Sequence, residues 1–138
     1  MTPGSGDGTT RDSGTQRERD AVARADRYKM LFDLESDAIL LVDNADGRIL
    51  EANAAASVLY GFAPDELRQL HNYDLSAEPA ETKRVTASPP SEGSVVTVPL
   101  RFHRKKDGTV FPAEITARFF IDGGASLHLA AVRDITDR

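Results

Sequence analysis

The sequence predicts an α+β domain, an antiparallel sheet with its helices gathered on one face. Three observations predict it. Short apolar or alternating runs form two groups, one over residues 38–52 and one over residues 96–132. Gly-containing turns (Asp46-Gly47, Asp107-Gly108 and Asp122-Gly123-Gly124) join the runs within each group. Between the groups lies a broken helical stretch, and no parallel crossover is needed.

Residues 1–16 hold Gly, Ser, Thr and charge with almost nothing apolar, so they are expected to form a disordered tail. From Arg17 the composition shifts to helix formers. Ala21, Ala25, Tyr28 and Phe32 recur at helical spacing beside Leu31, which predicts an amphipathic helix over residues 17–35. The domain proper is expected over residues 36–138. Ala38 to Asp43 is an apolar run too short for a helix, and reads as a strand. Asn44 to Gly47 turns the chain, and Ile49 to Ala52 returns as the second strand.

Asn53 is placed to cap a helix over Ala54 to Tyr60, and Gly61 suits the left-handed residue that ends one. Pro64 begins another helix, with Asp65 and Glu66 in its first turn. Ser76 is read as the cap of a third, running through Glu78 to about Ala87. Ser88-Pro89-Pro90 stops it. Val96, Val98, Leu100 and Phe102 then alternate with polar or Pro positions, which predicts a strand buried on that face. Phe111, Ala113, Ile115, Ala117 and Phe119 form the next alternating face, and Leu127 to Val132 the last strand. Pro99 and Pro112 lie inside strands, so each is expected at an edge, a bulge or an irregular margin.

Composition excludes several functions. A chain of 138 residues suits one domain plus a tail or linker. A net charge of −5 argues against nucleic acid as a partner. The basic run His103 to Lys106 ends at Asp107 and reads as a solvated turn. The absence of cysteine excludes disulfides, thiolate catalysis, zinc–thiolate sites and iron–sulfur clusters, and fits a cytoplasmic setting. No apolar stretch approaches the roughly 20 residues of a membrane span, so no direct membrane insertion is expected. No phosphate cradle or Ser-His-Asp arrangement points to catalysis.

Several short motifs follow one another in a fixed order. Ser36-Asp37-Ala38-Ile39 enters the first strand, Asp43 and Asp46-Gly47 make its turn, and Glu51 to Ala55 enter the first inner helix. Tyr60-Gly61-Phe62, Asp65-Glu66-Leu67 and Asp74 to Pro79 come next. His103 to Gly108 leads to Phe111-Pro112-Ala113-Glu114, and Arg133 to Arg138 closes the chain. This ordered set resembles the PAS domain family, over about Tyr28 to Arg138. The resemblance implies a five-stranded antiparallel sheet in the order 2-1-5-4-3, with short helices around a small central cavity. It implies a non-catalytic sensory or dimerising input to bacterial histidine kinases, cyclic-dinucleotide enzymes or transcription regulators. Asp134, Ile135 and Thr136 resemble the family's exit motif, which relays to a following helix. An output domain of a longer parent protein is expected beyond it.

Site expectations follow. A filled core first, and a ligand cavity second, is expected from Leu41, Val58, Leu70, Tyr73, Leu75, Val85, Val98, Leu100, Ile115, Leu127 and Leu129. Its occupant would be a small organic molecule, a carboxylate or an apolar metabolite, and an anion would need a cation that the sequence does not single out. Structural roles are expected for Asp43, Asn53, Gly61 and Gly108. Ala25, Tyr28, Leu31 and Phe32 are expected to pair a homodimer. No metal or cofactor is expected. His71, His103 and His128 lack metal-site spacing, and His103 is expected on the polar side of its strand. Haem-binding members of the family usually carry the axial His on the helix before the third strand, here Pro79 to Ala87, which has none. A photoactive flavin adduct needs a cysteine, and the chain also lacks the tryptophan common at redox-flavin sites.

Overall fold

The computed structural model describes residues 4–137, and the side chains of residues 14–137. The described residues divide between Asp33 and Leu34 into two units.

The first unit is a helix, α1, which runs Gly4–Leu34. The sequence reading placed a disordered tail over residues 1–16; its first three residues lie outside the described residues, and from Gly4 the chain is helical. The lack of apolar surface there removes a packed face but not the local main-chain ladder. Further along, Tyr28 and Leu31 are 69% and 62% exposed, Ala25 is exposed and Phe32 is half-buried.

The second unit contains strands β1 (Ala38–Asp43) and β2 (Ile49–Ala52), and helices α2 (Ala54–Tyr60) and α3 (Pro64–Leu67). A 3₁₀ turn (Asn72–Leu75) and helix α4 (Pro79–Thr86) follow, then β3 (Val95–Arg104), β4 (Val110–Asp122) and β5 (Ala125–Asp134). The five strands form one antiparallel sheet in the order β2-β1-β5-β4-β3. The first two strands have the predicted bounds. The 3₁₀ turn went unread in the sequence.

Local chemistry explains the elements. Asp43 Oδ1 accepts from Ala45 N–H at 2.9 Å, and the Asp43 carbonyl accepts from Gly47 N–H at 2.8 Å, which closes the β1–β2 turn. Gly47 sits at φ 80°, and a Cβ there would meet Asn72 Oδ1 at 2.7 Å, so glycine is required twice over. Gly61 ends α2 at φ 80°, its N–H bonded to the Ser57 carbonyl. Gly108 turns the chain from β3 to β4, its N–H bonded to the Lys105 carbonyl. Glu78, not Ser76, occupies the cap position of α4; the Ser76 hydroxyl instead accepts from Glu78 N–H and from the Thr82 hydroxyl, each at 2.9 Å.

The core lies between the short helices and the inner sheet face. Val42, Ile49, Tyr60, Leu67, Leu75 and Val132 are fully buried there. Among the described residues no helix is long and apolar enough to cross a membrane.

The predicted phase of β3 holds only for its first half. The ladder with β4 shifts between Val98 and Arg101, so Pro99 and Leu100 together oppose one residue. That extra residue reverses the alternation. Arg101 and His103 turn inward, while Leu100 and Phe102 are 53% and 42% exposed. Pro99 thus sits at a bulge on an edge strand.

Candidate functional site

Along the inner sheet face lies a cavity of about 90 Å³. Leu40 and Val42 of β1, Val96 and Val98 of β3, Ile115, Ala117 and Phe119 of β4, and Ala130 and Val132 of β5 supply its apolar wall. Val85, Thr82 and Thr86 of α4, with Asn72, close it from the helix side. Arg101, His103 and His128 add polar groups. A wider, open groove of about 270 Å³ lies on the other side of Asn72 and Thr86, where Lys83 sits 4.3 Å over the Tyr73 ring.

The polar groups are individually tied down. Burial keeps the Tyr60 hydroxyl protonated, and with no other acceptor for it among the described residues it donates to His103 Nδ1 at 2.6 Å. The His103 ring proton is then on Nε2. Burial first, then the nearby Arg101, pushes the His103 imidazole down to about 4. At the far end of the sheet, Asn44 Nδ2 donates to Ser126 Oγ at 3.0 Å, which leaves Asn44 Oδ1 to accept from His128 Nδ1–H at 2.6 Å. Burial pushes His128 down to about 4 as well. Both imidazoles are neutral near pH 7.

Arg101 is different. Its side chain is 13% exposed, and its nearest carboxylate is Glu78 Oε1 at 4.0 Å. Its guanidinium donates no hydrogen bond among the described residues.

Of the eleven expected lining residues, Val85, Val98 and Ile115 line the cavity. Leu75 is fully buried in the core and Leu70 packs against that core. Tyr73 lines the outer groove. Val58 is 85% exposed on α2. Leu41 and Leu129 oppose each other on the other sheet face, which Leu127 shares opposite Asp43. Leu100 is turned out by the bulge.

That bulge also corrects His103, expected on the polar side and found 5% exposed facing in. The signal for Arg101 and His103 was Pro99, whose required bulge shifts everything after it. Ala130 and Val132 were missed because the polar His128 on their face reads as an outward mark although it faces in, and Leu40 and Val42 because an unbroken apolar run carries no phase. Asp43, on the opposite face, was the mark that could have set it.

The exit residues adjoin the cavity wall. Val132 lines it, and β5 continues directly into Asp134. Ile135 N–H donates to the Pro112 carbonyl at 3.0 Å. Asp134 Oδ1 accepts from Thr136 N–H at 2.9 Å and from the Thr136 hydroxyl. Arg133 pairs with Asp37 at 3.4 Å, and the Asp37 carbonyl accepts from Asn53 Nδ2 at 2.9 Å.

A family profile described as a PAS domain matches residues 36–137. An uncharacterized protein of Azorhizobium caulinodans is 32% identical over 126 residues, covering 85% of this chain; the chain spans 16% of that relative's length. Among solved structures, the PAS domain of an HTR-like protein from Haloarcula marismortui has a TM-score of 0.77 at 21% identity, covering 87% of this chain and 98% of that one. A PAS domain from a two-component sensor histidine kinase has a TM-score of 0.67 at 15% identity, with coverage of 83% and 98%. The PAS domain of nitrogen regulation protein NR(II) from Vibrio parahaemolyticus has a TM-score of 0.59 at 16% identity, with coverage of 77% and 95%. At these identities the solved structures speak to the fold.

Proposed function

The chain belongs to the PAS domain family, a family of signal-sensing modules, and from that premise we propose that it senses a small molecule in the inner-face cavity and relays occupancy through Asp134, Ile135 and Thr136 to an output domain of its parent protein. The observation that carries this is the continuity of β5, which walls the cavity with Ala130 and Val132 and then becomes the exit. A bound molecule can drive the relay only by binding two states of the domain differently. A cavity-filling Val98→Phe substitution tests the coupling without a ligand. Altered hydrogen exchange at the Ile135 and Thr136 amides is expected; an unchanged exit in a folded variant removes the relay.

This reading assigns no catalysis to the chain and no resident haem or flavin. A cavity of about 90 Å³ is far below the several hundred Å³ of cofactor-sized pockets. The purified protein is therefore expected to be colourless, and a haem or flavin absorption band would overturn the assignment.

A second reading rests on a separate observation. Val22, Tyr28, Met30, Leu31 and Leu34 expose large apolar side chains along α1. We propose that Ala25, Tyr28, Leu31 and Phe32 pair with a second copy of the chain. Removing residues 1–27 is expected to give a monomer by analytical ultracentrifugation, and a truncated dimer would place the contact elsewhere.

A further inference from the structure

The cavity has one charged end. Arg101 reaches it from β3 with a mostly buried side chain whose guanidinium makes no hydrogen bond; it pairs with the half-exposed Glu78 at 4.0 Å and also helps to lower the Glu81 carboxyl pKa. A guanidinium has five N–H groups, and no protein atom among the described residues accepts from those of Arg101. His103, two residues along on the same inward face, presents its Nε2–H with its other nitrogen occupied by Tyr60. Both groups are donors at neutral pH, so this end offers hydrogen bonds and positive charge. The walls beyond it include the aliphatic Val98, Ile115, Val132 and Val85, with Thr82, Thr86, Asn72 and His128 as further polar groups.

We infer that the cavity takes a short-chain aliphatic monocarboxylate, its carboxylate on Arg101 and His103 and its alkyl group against Val98 and Ile115. The inference rests on the cavity being the sensory site, and it supplies the ligand's chemical class. Charge selects the head group, because a planar guanidinium matches a carboxylate in a forked geometry. Size limits the tail. A cavity of 150 Å³ accepts benzene, at about 25 Å³ per heavy atom, so about 90 Å³ accepts about four heavy atoms. Acetate has that size, and propionate is one heavy atom larger. A phosphate ester, a dicarboxylate or a long fatty acid does not fit a single cation and an aliphatic slot this short. The bulge at Pro99 and Leu100 makes the site, since without the extra residue Arg101 would face out.

The test is an NMR-monitored titration of the full chain with propionate, its neutral isostere propionamide, hexanoate and inorganic phosphate. Propionate is expected to shift the Val98, Ile115 and Val132 amides and to bind at least about tenfold more tightly than propionamide. Arg101→Gln is expected to abolish that difference, and Arg101→Lys to restore part of it. Hexanoate is expected to bind more weakly than propionate. Equal binding of acid and amide, no binding by propionate, or equivalent shifts with phosphate each overturn the inference. Where Arg101→Gln fails to fold, the acid–amide contrast in the unmodified chain, blocked by Val98→Phe, decides instead. A neutral solute that binds in preference and alters the Ile135 amide overturns the carboxylate class and leaves the sensory reading standing. Propionate binding without change at the exit supports the class and removes the relay.

Discussion

Asn53 joins three parts of the chain with one side chain. Its Oδ1 accepts from Ala56 N–H at 3.0 Å and from Ile39 N–H at 2.8 Å, while Nδ2 donates to the Asp37 carbonyl at 2.9 Å. The cap of α2 was legible in the sequence because Asn precedes a helical run. The clasp on β1 was not, since it joins residues 14 and 16 positions away. Asn53→Ala is therefore expected to cost about 2–4 kcal/mol, more than an ordinary cap, because buried main-chain groups are left unmet as well. Urea unfolding measures it, and a loss of only about 0.5 kcal/mol would reduce Asn53 to a simple cap.

His103 and His128 carry the pH dependence. Each has a folded pKa of about 4, below the unfolded value near 6.5. Between those values the unfolded chain binds more protons, so stability falls as the pH falls. The two histidines' contribution is complete above about pH 6.5 and lost progressively toward pH 4, on the order of a few kcal/mol in all. Urea midpoints at pH 7.5, 6 and 5 are expected to decline in that order. A flat profile would mean that both imidazoles titrate normally in the folded state.

At the level of elements, β3 separates what periodicity can and cannot tell. Its first half follows the two-residue period, with Val96 and Val98 on the cavity face. After the bulge the same period predicts the wrong face. Phe102→Ser is accordingly expected to cost less than about 1 kcal/mol, whereas Val132→Ala in the fully buried core is expected to cost about 1–3 kcal/mol. A reversed order in chemical denaturation would show that the bulge is misplaced. Strands β1 and β5 present a different obstacle. Ala38 to Val42 and Leu129 to Val132 are apolar on both faces, so the strands were visible and their phase was not. The missed 3₁₀ turn is four residues long, too short for a helical period to show.

Across the second unit, the fold was legible because turns, caps and motif order all agree on one sheet topology. The cavity was less so. Its lining depends on phase and on one irregularity, and its only cation lay outside every expected set. The structure joins Arg101 and His103 at one end of an aliphatic slot to Val132 in its wall, and Val132 to the exit two residues later. Val132 is thereby placed next to Arg133, its Asp37 partner and the Ile135–Pro112 bond. The direct measurement is hydrogen–deuterium exchange of the Ile135 and Thr136 amides with and without saturating propionate. Changed protection is expected there together with slower exchange around Val98 and Ile115. Slower exchange at the cavity with an unchanged exit would contradict the relay.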